Sequence, residues 1–146
     1  YMEEVGGFCF YYMDSNIFLR VAQRWDIIPQ VRWFYNTRKE NSEICHKEIV
    51  FIHHPYLSEG RHGNAEGFLK WTYDWLFMGK SDFFISGHAH FAKDFGKNGK
   101  THLLISGAGG DIEKNHQGGI LILELGIEDH SLSYHFTSYT NLGDKQ

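Results

Sequence analysis

Two apolar runs that each end in histidines constrain the fold of this chain more than any other feature. The first run, 50–52, leads into His53, and the second, 82–86, leads through a glycine into His88 and His90. Neighbouring strands of a mostly parallel sheet, joined by a helix, bring such ends to one carboxyl edge, where ligand sites of open α/β sheets usually lie. The pattern predicts an α/β fold in which three imidazoles meet as metal ligands.

The periodicity of the remaining sequence predicts the other elements. Strands are expected at 5–13, 48–52, 82–86, 101–106, 119–125 and 131–139. Helices are expected at about 28–39, with Pro29 in the first turn, and from Asn64 as N-cap to a stop at Gly79. Turns or loops are expected at 14–16, 54–63, 96–99, 107–110 and 126–130. In the second helix we interpret the stripe Phe68, Trp71, Trp75 and Met78 as core packing.

Composition bounds the class of protein. With 146 residues, 42% of them apolar and 22% charged, the chain has the make-up of one soluble globular domain. Its formal net charge of −4 and its dispersed basic residues argue against nucleic acid or an anionic membrane surface as a partner. No apolar run approaches the roughly 18 residues of a membrane span. Cys9 and Cys45 could pair or stay free, so the compartment stays open.

The spacing of His88 and His90 suits metal chemistry. Alternate residues of an extended backbone point the same way, so the two side chains could ligate one metal each, about 3.5 to 4 Å apart, or share one metal. His53 would join them from the neighbouring strand end. Imidazole favours Zn, Fe and Mn, whereas Mg and Ca prefer a mostly oxygen shell.

The remaining histidines carry weaker arguments. On an extended backbone His54 would point away from its neighbour His53, so we expect it to support a metal ligand from outside the coordination sphere or to contact substrate. No positional argument applies to the others outside the motifs, which are expected to face solvent: His46, His102, His116, His130 and His135.

Four motifs occur in a fixed order along the chain. They are Val50-x-x-His53, His62-Gly63, Gly87-His88-x-His90 and Ser106-Gly107-Ala108-Gly109. The ordered set resembles the second half of the calcineurin-like metallophosphoesterases, most closely the purple acid phosphatase branch. The strand ending in Asp14-Ser15, and Gln30 and Trp33 after it, also resemble that branch. The match spans nearly the whole chain; Gly-His-x-His alone is only moderately specific, but the spaced set is much more so.

This resemblance implies an α-β-β-α sandwich with a dinuclear metal site that hydrolyses phosphate esters. His53 and His88 would ligate the divalent metal and His90 the other, which is ferric in purple acid phosphatases; Fe, Zn and Mn are the expected ions. His62 maps onto a histidine that binds phosphate or protonates the leaving alkoxide, and its spacing favours a phosphomonoesterase over a phosphodiesterase. The resemblance also favours an extracytoplasmic or lysosome-like compartment.

The chain departs from the family in its carboxylates. The family's metal-binding Asp and Asn motifs lie upstream of the matched region, and none occurs here. We therefore expect residues 1–146 to be the C-terminal half of a metallophosphoesterase domain, inactive alone, whose N-terminal half is a missing segment or a complementary chain. Three alternatives remain: a non-catalytic scaffold of the same fold, a phosphodiesterase of the same superfamily, and an unrelated zinc-binding module.

Overall fold

The computed structural model of this chain describes residues 1–19, 24–109, 112–114 and 116–138. Its strands are β1 (Met2–Val5), β2 (Phe8–Met13), β3 (Lys47–Ile52), β4 (Phe83–Ser86), β5 (Ala92–Asn98), β6 (Thr101–Ser106), β7 (Gly119–Gly126) and β8 (Ser131–Ser138). Its helices are α1 (Asn16–Leu19), α2 (Arg24–Glu40) and α3 (Gly67–Leu76). Within these ranges no helix combines the length and the apolar character that crossing a bilayer requires.

The chain is a mixed α/β protein built on a six-stranded sheet of order β1-β2-β3-β4-β6-β5. The four central strands are parallel, and the two edge strands β1 and β5 run antiparallel to their neighbours. Helix α2 connects β2 to β3, and α3 connects β3 to β4. The expected pairing of the two histidine-bearing strands is thereby confirmed, since β3 and β4 are parallel neighbours.

Alternating side chains give the sheet two apolar faces, as strand geometry requires. One face packs against the helices through the buried residues Tyr11, Val50, Phe84, Phe34 and Tyr73. Cys9 lies on this face without exposure and forms a disulfide with Cys45, their Cα atoms 5.5 Å apart. This bond ties β2 to the segment that leads into β3.

The hairpin β7–β8 covers part of the other face. Its two strands form a separate antiparallel sheet. Alternate residues of the hairpin, including Leu123 and Phe136, pack on a buried group formed by Phe8, Ile49, Ile85 and Leu104. The predicted strands at 119–125 and 131–139 are confirmed up to Ser138; Tyr139, like Gly110 in the glycine loop, lies outside the described residues.

Some predicted boundaries are wrong. The run 5–13 is not one strand, because Gly6 and Gly7, at φ of 56° and 89°, reverse the chain between β1 and β2. Strand β5 was not predicted, since its sequence is polar and it lies at an edge. Helix α1 begins within the expected turn, and α2 begins at Arg24, which places Pro29 inside the helix.

The helix predicted from Asn64 is also displaced. Glu66 is the N-cap residue, and the Asn64 side-chain oxygen instead accepts the backbone N–H of Ser58 at 2.7 Å. The buried face of α3 is Leu69, Thr72, Tyr73 and Leu76. The stripe was assigned to the wrong side for its three aromatic residues: Phe68, Trp71 and Trp75 are 40%, 57% and 41% exposed. Its fourth member, Met78, lies beyond the end of the helix and packs partly buried against the core, as predicted. Both sets have helical spacing, so periodicity alone could not tell which faces the sheet.

Candidate metal site

The histidine motifs lie at the carboxyl edge of two neighbouring parallel strands. Strand β3 ends at Ile52, directly before His53 and His54, and β4 ends at Ser86, two residues before His88. Ile52 and Ser86 are register partners, so both strands end at the same level. Beyond them the backbone N–H of Gly87 donates to the carbonyl of His53 at 3.1 Å, which extends the pairing into the loops.

Three imidazoles converge at this edge. His53 Nε2 lies 2.9 Å from His88 Nδ1. One ligand nitrogen from each of His53, His54 and His88 lies within 4.8 Å of the other two. The ring of His54 is 4.5 Å from that of His88, centroid to centroid. The expected approach of His53 to His88 is therefore present, and His54 belongs to the same group.

His88 adopts a left-handed backbone with φ of 64°, which is uncommon for a residue other than glycine. The alternation argument for His88 and His90 required an extended backbone, and this turn removes it. Backbone of this kind is retained where its surroundings fix it, often at functional sites. Here it directs the His88 ring into the imidazole group.

His90 does not enter that group. Its backbone N–H donates to the Glu113 carboxylate at 3.2 Å. Its side chain lines a separate cleft of about 370 Å³ together with Arg61, Ile112, Glu113 and Lys114. The expectation that all three motif histidines converge is therefore met for His53 and His88 only.

His54 points into the site rather than away from it, because the chain bends after Ile52. Its Nδ1 lies 2.7 Å from Oγ of Ser15, and its backbone N–H donates to the same oxygen at 3.0 Å. Its carbonyl accepts the phenolic O–H of the buried Tyr73 at 3.0 Å. These bonds fix the plane of the imidazole.

His62 approaches the group from the loop after β3. Its ring centroid lies 4.2 Å from that of His88, although the residue is exposed. Nε–H of Arg61 donates to Nε2 of His62 at 3.0 Å. A neutral His62 that accepts this bond carries its own proton on Nδ1.

Glu113 fixes two of the loops around the site. Its carboxylate accepts the backbone N–H of Arg61 at 3.0 Å and that of His90 at 3.2 Å. The Arg61 bond, more than any other contact, holds the pKa of Glu113 below its ordinary value. The carboxylate therefore stays ionised while it accepts these hydrogen bonds from both loops.

The electrostatics of the group favour neutral imidazoles. Burial, followed by the neighbouring His54, His62, His53 and His90, lowers the pKa of His88 to about 4. Burial also lowers the pKa of His54, and His53 adds to this effect. Neutral imidazole offers a ring nitrogen lone pair to a metal, so the lowered pKa values of His54 and His88 keep their lone pairs available near neutral pH.

The donor set fits a transition metal. Three imidazole nitrogens match Zn, Fe or Mn, and not Mg or Ca. Two nitrogens on a tetrahedral Zn lie about 3.3 Å apart at the usual bond length, so His53 and His88 would separate by only a few tenths of an ångström. Among the residues that the structure describes, the converging group contains no carboxylate that could bridge two metals.

An apolar cleft of about 650 Å³ opens beside His53. Its walls include Phe51 from the sheet and Leu121 from β7, and Asp14 lies at its rim. Asp14 follows β2, and its carboxylate accepts the N–H groups of Asn16. The cleft thus lies between the six-stranded sheet and strand β7 of the hairpin.

Several contacts could not be inferred from motif spacing. Asp14 and Ser15 could be expected near the site, because they follow the strand next to β3. The sequence does not show, however, that Ser15 faces His54. The sequence pointed to Arg61 only through its position next to His62, and no sequence feature pointed to Glu113.

Three of the five histidines expected to face solvent, His102, His116 and His130, are half-buried, whereas His46 is exposed. His102 lies 2.9 Å from both Asp94 and Tyr134, and His46 stacks on His130. His116 stacks on Phe91. His135 is exposed as expected.

Comparison of the chain with protein-family models and with curated proteins finds no match.

Proposed function

We propose that this chain is the histidine-bearing half of a metal-dependent phosphoric ester hydrolase of the metallophosphoesterase type, an acid phosphatase-like phosphomonoesterase. One observation carries the proposal: ligand nitrogens of His53, His54 and His88 lie within 4.8 Å of one another at the carboxyl edge of two parallel strands. The order of the histidine motifs in the sequence supports the same activity.

The histidines would have the following roles in this proposal. His53 and His88 bind the first metal, with His54 as a further ligand or as a contact to substrate. His90 would bind a second metal in the completed enzyme, as the order of the motifs implies. Two bound cations would clamp phosphate oxygens and lower the pKa of a water ligand, which supplies the hydroxide for hydrolysis.

In this proposal His62 transfers the proton that the leaving alcohol of a phosphomonoester requires. The ring of His62 lies against that of His88, and its Nε2 accepts a hydrogen bond from Arg61. As an imidazolium, which forms when Nε2 takes up a proton in place of the Arg61 hydrogen bond, His62 would give one proton to the oxygen of the leaving alcohol and become neutral, as general acid catalysis requires. The spacing of His62 in the sequence favours a phosphomonoesterase over a phosphodiesterase of the same superfamily.

The missing carboxylates belong, in this proposal, to an N-terminal half or a complementary chain. The cleft beside His53 supports this view because its half-exposed apolar walls, among them Phe51 and Leu121, flank the metal ligands. Strand β7 pairs with β8 alone among the described strands, so its other edge can accept a further strand. A second sheet completed there would give the α-β-β-α sandwich.

The disulfide supports an oxidising location. Cys9–Cys45 is the kind of bond that persists in extracytoplasmic or lysosome-like compartments and is rare in a reducing cytosol.

The experiment compares the chain alone with the chain joined to its complementary half. We expect the chain alone to bind metal weakly and to show negligible phosphatase activity, since it lacks bridging carboxylates. The joined protein should bind two metal equivalents and hydrolyse a phosphomonoester such as phenyl phosphate in a metal-dependent way. Strong hydrolysis by the chain alone would show that these histidines suffice.

A non-catalytic scaffold is the second candidate, and the lack of a carboxylate in the described imidazole group favours it. It predicts that the joined protein binds at most one metal and hydrolyses no ester. An unrelated zinc-binding module predicts tight zinc binding by the chain alone.

A further inference from the structure

The cleft that holds His90 carries positive charge that lies outside the converging imidazole group. It has a volume of about 370 Å³, within the range of about 300 to 1,000 Å³ typical of small-molecule sites. Two of its lining residues, Arg61 and Lys114, are cationic and exposed. Of its described lining residues, Glu113 is the one carboxylate, and both of its oxygens accept backbone N–H groups.

The cleft is connected to the imidazole group through Arg61. The Nε–H of Arg61 donates to His62, whose ring lies 4.2 Å from that of His88. The backbone N–H of Arg61 is held by Glu113 at 3.0 Å. Its backbone position is therefore fixed between the two sites, and the residue itself lines the cleft.

We propose that this cleft binds a second anionic group, a phosphate or carboxylate carried by the alcohol portion of the substrate. The inference rests on the proposed function, and it names the substrate class: phosphomonoesters whose alcohol is itself anionic. Arg61 supplies planar paired donors that match such a group, and Lys114 supplies a further positive charge. The reacting phosphate would lie at the histidines and the second anion would lie in the cleft.

The first test measures binding without metal and without hydrolysis. Inorganic phosphate is titrated into the metal-free chain, and backbone amide shifts are followed by NMR. Saturable shifts should appear at Arg61, His90, Glu113 and Lys114. Arg61→Gln and Lys114→Gln should each weaken binding about tenfold, the worth of one charge-assisted contact. The matched controls Arg32→Gln and Lys39→Gln, exposed on α2, should bind phosphate as the wild-type chain does. Equal affinity in all variants, or shifts confined to other residues, overturns the proposal.

The second test separates an anionic substrate from free phosphate. In the completed enzyme, kcat/KM is compared for phosphoglycolate and ethyl phosphate, which differ by a carboxylate. A preference for phosphoglycolate that falls about tenfold in Lys114→Gln supports the proposal. An unchanged preference overturns it, since the cleft would then bind free phosphate only. Failure of the wild-type enzyme to hydrolyse either ester would count against the proposed function, and the metal-free titration would still decide whether the cleft binds anions.

Discussion

Ser15 and His54 are joined by two contacts to one oxygen: Oγ of Ser15 accepts the backbone N–H of His54 at 3.0 Å and lies 2.7 Å from its Nδ1. Ser15 is fully buried at the end of β2, and His54 follows β3. In the tautomer whose Nδ1–H donates to Ser15, Nε2 of His54 keeps a lone pair for a metal. One buried hydroxyl thus fixes the orientation of one imidazole of the group.

Ser15→Ala should weaken metal binding without removing a ligand. Loss of a hydrogen bond to a ligating histidine typically costs 10- to 100-fold in metal affinity, and we expect a loss in that range. Zinc titration by calorimetry measures the affinity. Ser133→Ala, at an exposed position of the hairpin, is the matched control and should leave zinc affinity unchanged. Equal zinc affinity in both variants would mean that His54 is not a ligand.

Acidification should destabilise the metal-free chain between about pH 6.5 and pH 4. The pKa of His88 is lowered to about 4 in the folded chain by burial and by neighbouring imidazoles, against about 6.5 when unfolded. In this window the unfolded state binds more protons, so the free energy of unfolding falls as pH falls. Above pH 6.5 the contribution of His88 is fully present.

Urea unfolding at a series of pH values measures this effect. His88→Asn is the comparison, because asparagine tolerates the left-handed backbone that His88 adopts. The variant should lose less stability than the wild-type chain between pH 6.5 and pH 4. Parallel curves for the two proteins would show that His88 titrates normally in the folded chain.

The two faces of α3 should differ sharply in their contribution to stability. Leu76 is 1% exposed and Trp75, its chain neighbour, is 41% exposed. Leu76→Ala should lower the free energy of unfolding by about 2 to 5 kcal/mol, because it leaves a cavity in the core. Trp75→Ala should cost about 1 kcal/mol or less, although its ring stacks on Trp71. A loss in Trp75→Ala as large as that in Leu76→Ala would contradict the assignment of Trp75 to the exposed face of α3.

The sequence predicted the central sheet well because its strands have strong local signals. Runs such as 48–52 and 101–106 are apolar and bounded by polar or glycine residues, so they could be placed almost to the residue. Strand β5 could not, since an edge strand has only one neighbour and its sequence need not be apolar.

The candidate site was predictable in part for a similar reason. Strand ends locate His53 and His88, but a loop's local backbone decides where the next side chain points. The left-handed turn at His88 separates His90 from the group, and the bend after Ile52 brings His54 into it. Neither conformation is encoded in residue spacing, because each depends on contacts with loops distant in sequence.

The disulfide should contribute substantially to stability. Cys9 and Cys45 are separated by 36 residues, and closing a loop of this length stabilises a fold by about 4 kcal/mol in the chain-entropy description. Cys45→Ala should lower the free energy of unfolding by roughly this amount in urea. Dithiothreitol should destabilise the wild-type chain similarly and leave the variant unaffected. A wild-type chain insensitive to dithiothreitol would contradict this prediction.

His62→Ala tests the proton-transfer role in the completed enzyme. The residue is exposed and lies outside the converging ligand group, so metal content and folding should be unchanged. If His62 protonates the leaving group, kcat should fall by about 10² to 10⁴, the usual worth of general acid catalysis. The loss should be greater for an alkyl phosphate than for an aryl phosphate, because the aryl leaving group needs less protonation.

His53→Ala is the contrasting variant, because His53 Nε2 lies in the ligand group. It should lower metal occupancy, and activity should fall by the same factor for both esters. Rates are therefore compared for the two esters at matched metal loading, so that occupancy cannot imitate a proton-transfer defect. Equal losses on both esters in the His62 variant would mean that His62 only positions phosphate. No loss on either would make it an exposed loop histidine, and the stacking of its ring on His88 would then have no part in catalysis.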